Sequence, residues 1–195
     1  MNQITLQGII KDIKFSHYVK DIEYYKANLL VKKDNDKEDI IPLKFKRFCC
    51  LYQDGDLINL TGNIRTFSTK DENKSHVDVY VFTYFDLPEE EKINVIQLDG
   101  NICKKGELRK TKNGLDVIDF IVANNLISNE QIFNTYIPIV AWGKQAKEIN
   151  KMNVGDNINI EGHFSSRTYK KKINDTFEYR MAYEVNVDKI NREEV

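Results

Sequence analysis

The sequence predicts an all-β protein built from two tandem five-stranded Greek-key barrels, each with a short helix between its third and fourth strands. Three observations carry this. Motifs from the first half return in the same order in the second. Apolar and polar residues alternate with period two through most of the intervening segments. Glycines stand inside those strands, where they mark the bends and bulges of a barrel wall.

The repeat sets the organisation. Residues 2–8 (NQITLQG) return as 94–100 (NVIQLDG), 41–43 (IPL) as 137–139 (IPI), 55–62 (GDLINLTG) as 155–162 (GDNINIEG), and 65–67 (RTF) as 167–169 (RTY). The offset grows from 92 through 96 and 100 to 102, as insertions in loops would make it. Two copies of one fold follow, spanning 1–87 and 93–190, with a linker at 88–92 and a short tail at 191–195. A proline and an acidic run at Leu87-Pro-Glu-Glu-Glu91 break both strands and helices there.

In each copy the first strand (about 3–10 and 94–103) alternates and closes near a glycine. The second (22–33 and 115–126) carries Tyr24 and Tyr25 in one copy and Val117, Phe120 and Val122 in the other. The third (39–45 and 135–142) precedes a helical segment, 144–152 in the second copy and a cramped 47–53 holding Cys49 and Cys50 in the first. A Gly-Asp turn then opens the fourth strand (57–66 and 157–165), and a long hairpin leads to the fifth (77–85 and 178–189). Five strands in this order with one helix define an OB-fold.

The most informative stretch is 134–152. Alternation places Tyr136, Pro138, Val140 and Trp142 on one face of the third strand and Ile137, Ile139 and Ala141 on the other. Two spaced rings beside Lys144 suit the stacking of unpaired bases, since every base has a π-face and every linkage a phosphate. The same rings also suit a core or a subunit contact.

With these residues in view, the second copy resembles the bacterial single-stranded DNA-binding protein family. The resemblance rests on 94–102, 106–109, 112–114, 136–144, 155–162, 167–170 and the closing strand 183–187, in that order across most of 93–190. It implies a non-catalytic protein that coats single-stranded DNA, with four OB-folds in the working assembly, hence a homodimer of this chain. It further implies base stacking by Tyr136, Trp142 and Tyr169 and a phosphate-facing role for Arg109. Two departures stand out. Asn124–Ile127 replaces a tryptophan frequent at the end of the second strand, and the sequence stops after its last strand without the acidic recruitment tail of the family. Such a shortened, duplicated form suits a phage, plasmid or other mobile element. The first copy places Lys46 where Trp142 stands, with Lys44 and Phe67 nearby, which points to phosphate contacts or assembly rather than stacking.

Charge agrees locally rather than globally. The chain holds 29 Lys and Arg against 30 Asp and Glu. Residues 92–195 are net +2 and residues 1–91 net −3. The hairpin of the second copy gathers Arg167, Lys170, Lys171 and Lys172, and its first loop Lys104, Lys105, Arg109, Lys110 and Lys112. A lysine-rich hairpin is also a common solvated loop; beside Tyr169 and Trp142 it reads as a strand-tracking groove.

Other functions find little support. His17, His76 and His163 are isolated, no phosphate-binding glycine loop occurs, and Asp34–Asp39 lacks the glycine and glutamate of a calcium loop. Neither an enzyme nor a cofactor or metal is expected. Three cysteines without a Cys-x-x-Cys spacing suit a reduced, cytoplasmic protein, nucleoid-associated as the family resemblance implies, and no apolar run is long enough for a membrane helix. The competing readings are an OB-fold interaction module for a primosome or recombination partner, and an RNA binder using the same groove.

Overall fold

The computed structural model describes residues 1–33, 37–47, 52–69, 74–84, 93–128, 131–173 and 176–191. Strands β1 (Asn2–Val19), β2 (Ile22–Lys32), β3 (Glu38–Lys46), β4 (Leu57–Thr69) and β5 (Lys74–Tyr84) make the first barrel. Strands β6 (Asn94–Lys105), β7 (Arg109–Lys110), β8 (Asp116–Ser128), β9 (Gln131–Trp142), β10 (Asn157–Ile173) and β11 (Thr176–Asn191) make the second, with helix α1 (Gly143–Lys151) between β9 and β10. The expected linker at 88–92, Cys49 and Cys50, and residues 192–195 of the expected tail lie outside the described residues.

Both barrels close in the same way. In the first the ring runs β1–β2–β3–β5–β4 and back to β1; in the second it runs β6–β8–β9–β11–β10 and back to β6. Each closure is a short parallel contact, Leu43 with Val79 and Ile139 with Val185. Inward side chains at alternate positions, such as Leu29, Ile41, Leu43 and Val79 or Val122, Ile137, Ile139 and Val185, are fully or nearly fully buried. Helix α1 plugs the second barrel with Ala146 and Ile149.

Equivalent positions make equivalent bonds. The Asn2 side chain accepts from Ile64 N–H (2.9 Å) and donates to Ile64 C=O (2.8 Å); Asn94 does the same with Phe164 (2.9 and 2.7 Å). Gly55 and Gly155, at φ +106° and +102°, donate to Ile10 and Ile102. That conformation is one glycine adopts without strain. The register shifts just before Gly62 and Gly162, with Phe82 of β5 and Asp188 of β11 as the extra residues opposite them. A Cβ on Gly62 would sit 2.5 Å from the Tyr80 carbonyl oxygen, so the barrel corner is tight enough to require glycine.

The two barrels join through antiparallel pairing of β1 with β6, in which Asn2 faces Leu98, Ile4 faces Ile96 and Leu6 faces Asn94. At the repeat offset of 92, Ile4 and Ile96 are the same residue of the fold, so they lie on a local two-fold axis. Bonds across the junction come in related pairs. Gln7 N–H donates to Ile93 C=O (2.8 Å) and Asp99 N–H to Met1 C=O (3.0 Å). Ile40 N–H donates to Ser166 Oγ (2.9 Å) and Tyr136 N–H to Thr66 Oγ1 (2.8 Å). One chain thus contains what resembles a symmetric dimer joined strand to strand.

Two expectations are revised. The first strand does not end near Gly8; β1 continues to Val19 and folds back on β2 through Lys20 and Asp21, both at positive φ. The match of 65–67 with 167–169 is two residues out of structural register. Ile64 and Phe164 are equivalents by their asparagine clamps, which makes Phe67 the partner of Arg167. The barrel corner fixes the register there, and the shared Arg-Thr-aromatic string does not.

Candidate nucleic-acid interface

On the second barrel the outward face of β9 carries the two rings singled out by alternation. Tyr136 is 53% exposed and Trp142 37%, while Ile137, Ile139 and Ala141 behind them are buried. Six residues of strand separate the rings, about 20 Å. The indole Nε1–H donates to Asn186 Oδ1 (2.9 Å), which holds the ring on edge without covering it. Cross-strand neighbours complete the face: Trp142 pairs with Val117 and Val117 with Arg109, while Pro138 pairs with Ile121 and Ile121 with Lys104. Rings therefore stand on one edge of the face and cations on the other.

The cations differ in how free they are. The Arg109 guanidinium is ion-paired with Asp119, and Lys110 pairs with Asp116 at 3.0 Å. Lysine 110 and Lys147 both hold the Asp116 carboxyl below its ordinary pKa, chiefly through the Lys110 hydrogen bond. Lys105 donates to the carbonyls of Asn150 and Met152, so it ties the first loop to the end of α1. Lys104, Lys112 and Lys144 are exposed.

The β10–β11 hairpin has two unlike faces. Arg167, Tyr169 and Lys171 share one with Glu178, Arg180 and Glu184. There Arg167 pairs with Glu184 (3.1 Å) and lies 5.8 Å from the Tyr169 ring, so this tyrosine is half-buried. The opposite face holds Lys170 and Lys172 across from Tyr179 and Phe177, with Met181 next in line. Tyr179 is 74% exposed, and Lys170 Nζ sits 4.0 Å from the Phe177 ring. Phe177, Tyr179 and Met181 were missed in the sequence, although their i, i+2, i+4 spacing was the available signal.

Between the barrels, Trp142, Asn186 and Arg167 face Gly8, Lys32 and Lys33 across an open cleft of about 1050 Å3. The two-fold-related side is filled instead. There the Arg65 guanidinium lies 3.9 Å from the Tyr80 ring and 4.5 Å from the Phe133 ring of the other barrel. Burial lowers the Arg65 pKa from its ordinary value.

The first barrel carries rings of its own. His17 stacks on Tyr24 (5.2 Å, 9°) and His76 on Phe67 (5.1 Å, 14°), while Phe15 and Tyr18 stand exposed near the β1–β2 tip. The Lys44 ammonium is 5.7 Å from the Phe67 ring, and Lys46 occupies the place of Trp142. A groove of about 540 Å3 lies between Lys14, Lys26, Lys44 and Phe67, with Asp12 and Asp78 also on its wall. Burial raises the Asp78 carboxyl pKa above its ordinary value, against the pull of Lys44, His76 and Lys26.

A carboxyl whose folded pKa exceeds its unfolded one costs stability increasingly as pH rises from the unfolded value through the folded one, and costs nothing below the unfolded value. Asp78→Asn should therefore raise the thermal midpoint at pH 7, and the gain should vanish at pH 3. A midpoint at pH 7 equal to or below the wild-type value would contradict this.

Among the described residues no group of three or more His, Cys, Asp or Glu is placed to hold a metal ion. Asp39 is buried and paired with Lys33 at 2.7 Å. No helix among the described residues is long and apolar enough to cross a membrane.

The model of the single-strand binding protein family matches residues 93–192, half of the chain. The chain belongs to the single-strand binding protein family. It is 34% identical over 84 residues to a single-stranded DNA-binding protein of Clostridium tetani, covering 41% of this chain and 58% of that protein. It is 33% identical over 81 residues to one of Halalkalibacterium halodurans, covering 40% and 48%. The match thus spans about half the length of these relatives. The crystal structure of the wild-type single-stranded DNA binding protein from Thermus aquaticus superposes with a TM-score of 0.74 at 20% identity, over 98% of this chain and 92% of that one. The Thermus aquaticus protein thus shares the fold across both barrels of this chain.

Proposed function

We propose that this family member binds single-stranded DNA with little regard to sequence, as a non-catalytic protein of replication, recombination or repair. The observation that supports this most is the outward pair Tyr136 and Trp142 on β9, exposed on a face edged by Lys104 and Arg109. Exposed rings offer stacking platforms to any base, and the cations track the phosphates. Tyr169 and Arg167 support the base of the hairpin, and Lys144, Lys110, Lys112, Lys170, Lys171 and Lys172 add positive charge around it.

Trp142 is the single tryptophan, so fluorescence excited selectively at the indole, beyond the absorption of the ten tyrosines, reports this face alone. Titration with oligo(dT) should quench it strongly, and the affinity should fall linearly with the logarithm of salt concentration as counterions are released. Unchanged fluorescence together with no mobility shift at low salt would overturn the reading. Competition between DNA and RNA oligonucleotides of one sequence separates the two polymers. A homodimer would bring four barrels to one strand, and light scattering at twice the chain mass would support it.

A further inference from the structure

On the first barrel three lysines lie side by side across three strands. Lys14 of β1 is the cross-strand partner of Lys26 of β2, and Lys26 is the partner of Lys44 of β3. The row continues to Tyr80 of β5. Adjacent strands are about 5 Å apart, so three ammonium-bearing side chains share one short line. Like charges directly opposite each other destabilise a sheet. Among the described residues none of the three forms an ion pair; the nearest acids on the groove wall are Asp12 and Asp78, and Asp78 is a buried carboxyl that resists ionisation.

The backbone is shaped to make this row. A bulge between Lys11 and Lys14 sets the register that brings Lys14 opposite Lys26. Within it Asp12 adopts φ +58°, and the Asp54 carboxylate accepts from the N–H groups of Asp12 (2.9 Å) and Ile13 (3.0 Å). Those two backbone bonds hold the Asp54 pKa below its ordinary value, that of Ile13 first. Bulges of this kind re-aim a side chain. In the second barrel Asp119, Val140 and Asn186 take the places of Lys26, Lys44 and Tyr80. Lysines therefore stand in the net-acidic half where the net-basic half has none.

We infer that the two barrels divide the work: the Lys14–Lys26–Lys44 row of the first holds the phosphate backbone of a single strand, while the second stacks its bases. This rests on the single-stranded DNA reading above. Phe67 with His76 at one side and Tyr24 with His17 at the other flank the row, so a strand lying on it meets rings at both margins.

The test uses the full chain with Lys14→Gln, Lys26→Gln and Lys44→Gln combined, and oligo(dT) as probe. Each phosphate contact to a single strand contributes about 0.7 to the slope of log affinity against log salt. The variant should lose about 2 from that slope and bind about a hundredfold more weakly at 0.1 M salt. Trp142 quenching at saturation should keep its full amplitude. A control carrying Lys151→Gln and Lys189→Gln, both exposed and outside the groove, should keep the wild-type slope. Because like charges are removed, the triple variant should melt no lower than wild type. An unchanged slope in a variant that still binds would overturn the row, as would an equal loss per charge in the control. Absence of any binding by the wild type would instead overturn the reading on which it rests.

Discussion

Replacing Trp142 and Tyr136 together by alanine is expected to remove most of the affinity for oligo(dT) while leaving the barrel folded. Each base stacked on an aromatic side chain contributes about 1–3 kcal/mol by alanine substitution. Two lost stacks then weaken binding by roughly 30-fold to ten-thousandfold. Anisotropy of a labelled oligonucleotide is the proper readout, because the variant has no tryptophan left. The fold should survive because the inner face of β9 is untouched: Ile137, Ile139 and Ala141 keep their contacts in the core. Loss of the indole frees Asn186 Oδ1, but the amide of Asn186 still donates to Ser165 Oγ at 2.6 Å and the oxygen faces the open cleft. A double variant that binds within threefold of wild type would remove β9 from the interface. That result would favour the reading of an OB-fold module whose partner is a protein.

The face of β9 was legible because alternation alone separates Tyr136 and Trp142 from Ile137 and Ile139. The repeat was legible for a related reason. Glycines at 62 and 162 sit where a side chain would strike a neighbouring carbonyl, so selection for the corner leaves a visible mark. Less legible was the long β1–β2 hairpin. Its two-residue turn is Lys20-Asp21, at φ +46° and +64°, with none of the Asn-Gly or Asp-Gly pattern that advertises such turns. Phe15 and Tyr18 fall between the predicted first and second strands (about 3–10 and 22–33), whereas the structure places both on β1. The lysine row was hidden for another reason. Lys14, Lys26 and Lys44 are far apart in sequence and inside an acidic half, and only cross-strand register brings them together. Net charge summed over a segment does not show a local row of lysines on one face of a barrel.

The largest effect on stability is expected at Asn2, which lies at the junction of the barrels and is 3% exposed. Its side chain satisfies both the N–H and the C=O of Ile64, and its amide also reaches Asn124 Oδ1 of the second barrel at 3.3 Å. Asn2→Ala strands two backbone groups in a buried setting, each costing about 1–3 kcal/mol, so a total loss of about 2–6 kcal/mol is expected in urea unfolding. Asn2→Asp keeps the volume but points a carboxylate at the Ile64 carbonyl, and should be no better than alanine. Asn94→Ala breaks the equivalent pair with Phe164, yet Asn94 is only half-buried, so water can replace part of what is lost and the penalty should be smaller. The ordering of the two variants carries the argument. Were Asn94→Ala the more damaging, or Asn2→Ala to cost under about 1 kcal/mol, the clamp would not be what fixes β1 to β4 beside the two-fold axis.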